Sequence, residues 1–246
     1  MAFHGQFSDA LIAIGKYDIS GQSNEIAIRE ALEALDSTTF GKTNRCYLPG
    51  VAEGEINGAF IWDPLLSALP LRTLKGVDAG DSTVLTLGMQ SAVGANAWLS
   101  RSCVHQLEQG GQHGELLKGS FQGHTSDVLI SGFVGEDGDT PRTASGNGAE
   151  VLVGAVSATQ SLYAALHCIN LSADSGTPTL DIEVESDTTG FPSATSRIAF
   201  TQLTAAGSEW KSVVGAITDT YFRVKWTIAG GATNPTATFI VSFGIL

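Results

Sequence analysis

The chain has 246 residues, of which 43% are hydrophobic and only 15% charged, and it carries a net charge of −12. That length makes one large domain or two modest ones, and it buries roughly 70–75% of the unfolded surface, enough for a core without disulfide or metal staples. The thirteen basic residues are scattered singly, which excludes the clustered Lys and Arg that neutralise nucleic-acid phosphates.

Charged residues usually make up about a quarter of a soluble chain. The deficit here means polar-neutral or apolar surface of the kind that subunit contacts use. The 29 glycines, together with frequent Thr, Ser and Val, favour short strands joined by turns. Cys46, Cys103 and Cys168 are odd in number and widely spaced, which points to free, buried thiols rather than disulfides or zinc. The opening MAFHGQFSDA lacks the basic and apolar regions of a signal peptide. No apolar run reaches about 18 residues, so no membrane segment is expected.

In chain order, LIAIGKYDIS (11–20) predicts a strand, a turn and a polar exit. NEIAIREALEALDST is open to two readings. Ile28, Leu32 and Leu35 have helical spacing, with Arg29 able to pair with Glu25 or Glu33, which argues for an amphipathic helix; a strand through Arg29 is the alternative. A polar arm from Asp36 to Asn44 leads to a Tyr47-Leu48-Pro49-Gly50 corner. From Glu55 to Trp62, Ile56, Gly58, Phe60 and Trp62 alternate with polar or small residues, which predicts a strand. Asp63-Pro64 then starts a short helix (64–70), as N-cap and first helical residue, that Pro70 ends.

Residues 83–88, 96–107, 115–121 and 127–134 are four further strand candidates. The segment 135–149, GEDGDTPRTASGNGA, has no periodicity and reads as a linker or long loop. Beyond it, alternation sharpens around Leu180/Ile182/Val184, Phe222/Val224/Trp226/Ile228 and Phe239/Val241/Phe243/Ile245. Strands with one face in a core and one face wet make 150–246 an antiparallel β-sandwich. The fold class is therefore mainly β: a barrel-like sandwich domain over 1–134 with one short helix, the 135–149 loop, and a C-terminal sandwich.

Candidate chemistry is sparse. Asp181, Glu183 and Glu185 lie two apart on one strand face, roughly 6.6–6.8 Å between neighbours. Parallel carboxylates on one face do not flank a scissile bond, so an acidic solvent or channel face is the reading taken. Asp137-Gly138-Asp139 with Glu136 lacks the spacing of a calcium loop and reads as a turn. The five histidines show no H-x-x-x-H spacing, and no nucleophile elbow, phosphate loop or dinucleotide fingerprint occurs. An enzyme, a cofactor and a metal are accordingly not expected. Trp226 belongs to an inward face, whereas Trp210 sits in a turn-like GSEWKS and is a candidate exposed contact.

The run from Asp36 to Trp62 resembles the tail tube proteins of long-tailed phages, where a TTFG…Y-x-PG…G-x-F pattern forms an arm and the strand beyond it. The matching residues are Thr38, Thr39, Phe40, Gly41, Tyr47, Pro49, Gly50, Gly58 and Phe60. It is this resemblance alone that favours the strand through Arg29 over the helix. The resemblance implies a virion protein assembled in the bacterial host cytoplasm. It implies hexameric rings, or trimeric ones when each chain carries two tube-like halves, stacked through the arm (36–50). Terminator, tape-measure and baseplate proteins are the implied partners, and DNA is passing cargo in an acidic bore. Residues 150–246 would then be a second tube half or a fused outer domain. The rival readings are another virion part (tail terminator, decoration or baseplate protein) and a carbohydrate-binding β-sandwich module.

Overall fold

The computed structural model describes residues 9–40, 43–61 and 82–246, and the expected helix at 64–70 lies outside them. Every strand pairing among these residues is antiparallel. The strands are β1 (Leu11–Ile14), β2 (Tyr17–Asp18), β3 (Ser23–Asp36), β4 (Tyr47–Ile61), β5 (Thr83–Gly88), β6 (Asn96–Gly110), β7 (Lys118–Thr125) and β8 (Ile130–Glu136), followed by β9 (Gly146–Asn147), β10 (Val151–Leu152), β11 (Ser161–Ser172), β12 (Thr179–Asp187), β13 (Thr195–Ala199), β14 (Gly207–Val214), β15 (Tyr221–Ala229) and β16 (Thr236–Ile245). Helical backbone among the described residues is limited to one 3-10 turn, Ser20–Gln22.

The long strand β6 is the spine of an eleven-stranded sheet. Its first residues lie between β5 and β8, and its second half pairs with β7, which continues the line of β8 on the same side. There the sheet forks. One branch leaves β7 through β4 to β3, and the other leaves β8 through β16 to β11 and β14. On the far side, β5 passes to β1 and β2. A second, five-stranded sheet contains β9, β10, β12, β13 and β15.

The fork creates three cores in layers. Ile12, Ile14, Leu85, Leu87 and Val104 meet Ile56, Phe60 and Phe121 inside the curled part of the large sheet. The opposite faces of the same strands, Leu11, Ala13, Val84, Ala97 and Leu99, pack on Ala165, Ile240 and their neighbours. The outer face of β11 and β16 (Leu162, Leu166, Phe239, Val241, Phe243) then packs on Leu180, Ile182, Val184, Phe222 and Val224 of the second sheet. The mainly β class holds, as a curled sheet plus a β-sandwich.

Packing explains where the sequence reading and the fold diverge. LIAI of β1 and TVLTLG of β5 lack alternation because both faces are buried. For the same reason β16 has no wet face: Ile240 and Ser242, which alternate with Phe239, Val241 and Phe243, are fully buried too. β3 is a strand to Asp36, not a helix, because it pairs with β4 from Ser23↔Phe60 to Asp36↔Tyr47. Tertiary pairing outweighs its Ala, Glu and Leu content. Arg29 accordingly reaches across the ladder to Glu55, at 3.7 Å, rather than along a helix to Glu25 or Glu33.

The 135–149 stretch is a loop held down at several points. Glu136 at its start is buried and accepts from Arg142, and Arg142 bridges Ala237. The Trp226 indole N–H donates to Ala144 O at 2.9 Å, and Gly146–Asn147 pairs with β15. Trp226 is a core residue, as its face predicts. Trp210 is in strand β14, half-buried against Tyr163, with ring centroids 5.7 Å apart, rather than in an exposed turn.

Candidate assembly surfaces

Among the described residues, exposed large apolar side chains cluster on the β3–β4 hairpin. β7 pairs with β4 only from Glu55 to Ile61, so beyond that point the two hairpin strands pair only with each other among the described residues. The outer part leaves Leu32, Leu35, Tyr47, Leu48 and Val51 exposed, and Phe40 at its tip is 109% exposed. Cys46 is exposed here too, against the expectation of three buried thiols. Cys168 does fit that expectation: burial pushes its thiol up to about 11.

Local chemistry holds the tip in shape. The Thr38 N–H donates to Asp36 Oδ1 at 2.9 Å, and the Cys46 N–H donates to Thr38 Oγ1 at 3.0 Å. Hydrogen bonds from the Thr38 side chain and backbone hold the Asp36 carboxyl below its ordinary range. Ser37 closes the loop by donating its N–H to Cys46 O. Thr39 and Phe40 stand exposed beyond this closure, and Gly41 lies outside the described residues.

The corner expected at Tyr47-Leu48-Pro49-Gly50 is instead the first part of strand β4, paired with Ala34, Leu35 and Asp36, and the chain reverses between Ser37 and Cys46. Pro49 is tolerated because β4 there has a partner on one side only. A Cβ on Gly50 would sit 2.9 Å from Glu33 Cβ and 3.2 Å from its carbonyl oxygen, so this bulge position takes only glycine without a shift. The Gly58-x-Phe60 pattern is a reciprocal fit: Gly58 opposes Phe121 and Phe60 opposes Gly119 across the ladder. A Cβ on either glycine would lie 2.4 Å from the facing ring. The rings cover backbone that no side chain can occupy.

At the root of the hairpin an apolar pocket of about 270 Å³ opens between β3, β1 and β5. Ile12, Ile28, Leu87, Met89 and Trp98 line it, and Glu30 is the ionisable residue among its walls. The other face of the β3–β4–β7–β6 branch is polar instead. There Glu25, Asn57, Gln106, Glu108, Ser120 and Gln122 surround a shallow depression.

Asp181, Glu183 and Glu185 do share a face of β12, yet they are not bare. Opposite them on β15 stand Thr227, Lys225 and Arg223. Arg223 donates to Glu185 at 3.0 Å, and Lys225 lies 3.1 Å from Glu185 and 3.6 Å from Glu183. Asp181 accepts from Gln202 at 3.0 Å, and Glu185 is buried. The Glu185 hydrogen bond and the two carboxylate charges hold the Lys225 ammonium above its ordinary range.

Two buried polar constellations were missed by sequence reasoning. His167 is fully buried, its Nδ1 2.7 Å from Gly15 O and its Nε2 2.9 Å from Thr86 Oγ1. A carbonyl can only accept, so Nδ1 carries the proton and Nε2 accepts from the Thr86 hydroxyl. Burial lowers the imidazole to about 4. The other is Glu136, whose Arg142 partner stacks over the Trp226 ring at 4.9 Å. Burial pushes the Glu136 carboxyl up, and Arg142 works against that shift. Among the described residues no group of three His, Cys, Asp or Glu side chains could hold a metal ion. Asp137 and Asp139 form a turn in which the Asp139 N–H donates to Asp137 Oδ1.

The sequence matches no family model and no curated protein. Solved structures similar to the chain come from phage-like tails, baseplates and hubs. A chain in the virion of a gene transfer agent particle is 16% identical, with TM-score 0.41, over 51% of this chain and 97% of that one. A chain of the anti-feeding prophage baseplate is 11% identical, with TM-score 0.42, over 53% of this chain and 97% of that one. The Dit hub protein of phage SPP1 is 10% identical, with TM-score 0.39, over 96% of this chain and 99% of that one. At these scores the likenesses carry no functional argument.

Proposed function

We propose that the chain is a self-assembling structural subunit of a phage-type tail, in which rings of copies stack into a tube through the β3–β4 hairpin. The observation that carries this reading is the hairpin itself. It carries six large apolar side chains (Leu32, Leu35, Phe40, Tyr47, Leu48, Val51) that stand exposed. An apolar, extended edge of this kind is an aggregation hazard unless a partner covers it. A repeated head-to-tail contact covers every copy's edge in the same way.

Within this reading the bore is lined by the polar face of β3–β4–β7–β6, where Gln, Asn, Ser and Glu alternate outward. The Asp181–Glu183–Glu185 ladder is a weaker candidate because Arg223 and Lys225 already offset its charge. A smooth neutral-to-acidic wall lets DNA pass without the counterion release that makes binding tight. A carbohydrate-binding role is disfavoured, since Trp210 lies against Tyr163 rather than offering a free stacking face. The test is negative-stain electron microscopy of the purified chain beside a variant lacking Thr38–Arg45. Hollow tubes or stacked rings from the first, and unstacked folded protomers or single rings from the second, are expected. Full-length tubes from the deletion variant would remove the hairpin from the assembly.

A further inference from the structure

The geometry points to a specific knob and hole between copies: Phe40 at the hairpin tip of one copy seats in the apolar pocket at the hairpin root of the next. This rests on the assembly reading above and names the contact that would carry it. Phe40 is 109% exposed near the hairpin end, which is an unfavourable place for a phenyl ring in a solitary protomer. The pocket walled by Ile12, Ile28, Leu87, Met89 and Trp98 encloses about 270 Å³. A cavity of about 150 Å³ already accepts a benzene ring, so the site holds one aromatic side chain with room for its neighbours.

Two observations identify the occupant as a second copy. The first is reach. Glu30 lies at the pocket, and β3 continues from there to Asp36 before the loop that carries Phe40 begins. Six residue steps at about 3.3 Å place the tip on the order of 20 Å from the pocket of its own chain. Knob and hole are thus at opposite ends of one arm and can meet only between molecules, in a contact that repeats head to tail.

The second is charge. From Asp36 to Cys46 the sequence holds two cations, Lys42 and Arg45, against one anion, Asp36, in a chain whose net charge is −12. The pocket's one charged wall residue is Glu30. A loop of net positive sequence charge docking beside an acid-marked apolar hole favours one orientation and one partner.

The experiment uses the full chain with Cys46→Ser, carrying either Phe40→Cys or Met89→Cys. The two variants are mixed under assembly conditions, oxidised and resolved by non-reducing electrophoresis. Disulfide-linked heterodimers well in excess of either homodimer are expected, because residue 40 of one copy meets residue 89 of another. In parallel, Phe40→Ser should raise the concentration needed for assembly about tenfold or more, and Phe40→Leu should recover part of that loss. Both positions are exposed, so the protomer's melting curve should not move. Assembly that persists in Phe40→Ser without a 40–89 link overturns this docking and leaves the tail reading standing. A parent chain that stays monomeric at every concentration overturns both.

Discussion

The hydroxyls of Thr86 and Ser242 lie 2.7 Å apart in the interior, 156 residues apart in sequence. Thr86 also supplies the proton that His167 Nε2 accepts, and the His167 Nδ1–H donates to Gly15 O. Ser242 therefore donates to Thr86, Thr86 to His167, and His167 to a turn carbonyl. This polar line crosses the layer where β1 and β5 pack on β11 and β16. It satisfies each of its members, which is the condition for burying them.

Cutting that line in the middle should cost more than cutting its end. Thr86→Val leaves both the imidazole nitrogen and the Ser242 hydroxyl without their partner, and a loss of about 2–3 kcal/mol is expected. Ser242→Ala removes only the terminal donor and should cost about 1 kcal/mol or less. Urea unfolding of the two variants against the parent chain provides the comparison, and an equal loss in both would contradict the placing of Thr86 as the shared partner of Ser242 and His167.

The buried imidazole makes stability depend on acid. An unfolded histidine takes up a proton near 6.5, while His167 in the folded protein resists protonation down to about 4. Below the unfolded value the unfolded state binds more protons, so stability is full above about pH 6.5 and falls as pH drops toward 4. The limiting slope is about 1.4 kcal/mol per pH unit, and the whole window is worth on the order of 3 kcal/mol. Subtracting the profile of His167→Gln from that of the parent should isolate this slope. A flat difference between pH 7 and 5 would show that the imidazole is not held neutral.

Arg142 should be hard to replace. Without it the Glu136 carboxylate, 1% exposed, is left buried and unpaired. The expected cost of Arg142→Ala is about 2 kcal/mol, below the ~3–5 kcal/mol of a fully buried pair because the Arg142 side chain keeps 30% of its surface. Arg142→Lys should recover little, since an ammonium cannot both fork onto the carboxylate and stack on Trp226. Thermal melts of the two variants measure this, and a melting point for Arg142→Lys equal to the parent's would refute it.

The reciprocal glycine–phenylalanine fit gives a sharper mutational signal. Gly58→Val places carbon atoms where the Phe121 ring lies, and Gly119→Val does the same to Phe60. Overpacking of this kind costs about 1–3 kcal/mol. The paired change Gly58→Val with Phe121→Ala should recover part of the loss at Gly58, a coupling that a double-mutant cycle in urea would register.

Thiol chemistry reports both folding and assembly. Cys46 should alkylate readily in the protomer, while Cys168, buried and with its thiol held at about 11, should react only on unfolding. In tubes or stacks Cys46 should become protected, because it lies in the loop proposed to enter the next copy. Mass spectrometry after brief iodoacetamide treatment distinguishes the three states.

Much of the fold was legible in the residues themselves. Alternation in β12 and β15 placed Leu180, Ile182, Phe222 and Trp226 inside, because period two is all that a strand with one wet face requires. The turn-rich composition likewise pointed to a mainly β protein. Pro49 and Gly50 read as a corner, yet they lie in β4 beside a bulge in its pairing with β3.

What depended on partners distant in sequence could be decided only by tertiary structure. β16 reads like any half-wet strand, yet its second face is covered by β1 and β5, which lie more than 150 residues earlier. The helical spacing of Ile28, Leu32 and Leu35 yields to a ladder formed with β4. The acidic residues of β12 look like a bare anionic face until β15 brings Arg223 and Lys225 opposite them. Local pattern records whether a side chain prefers water; which surface or counter-charge removes it from water is a property of the packed chain.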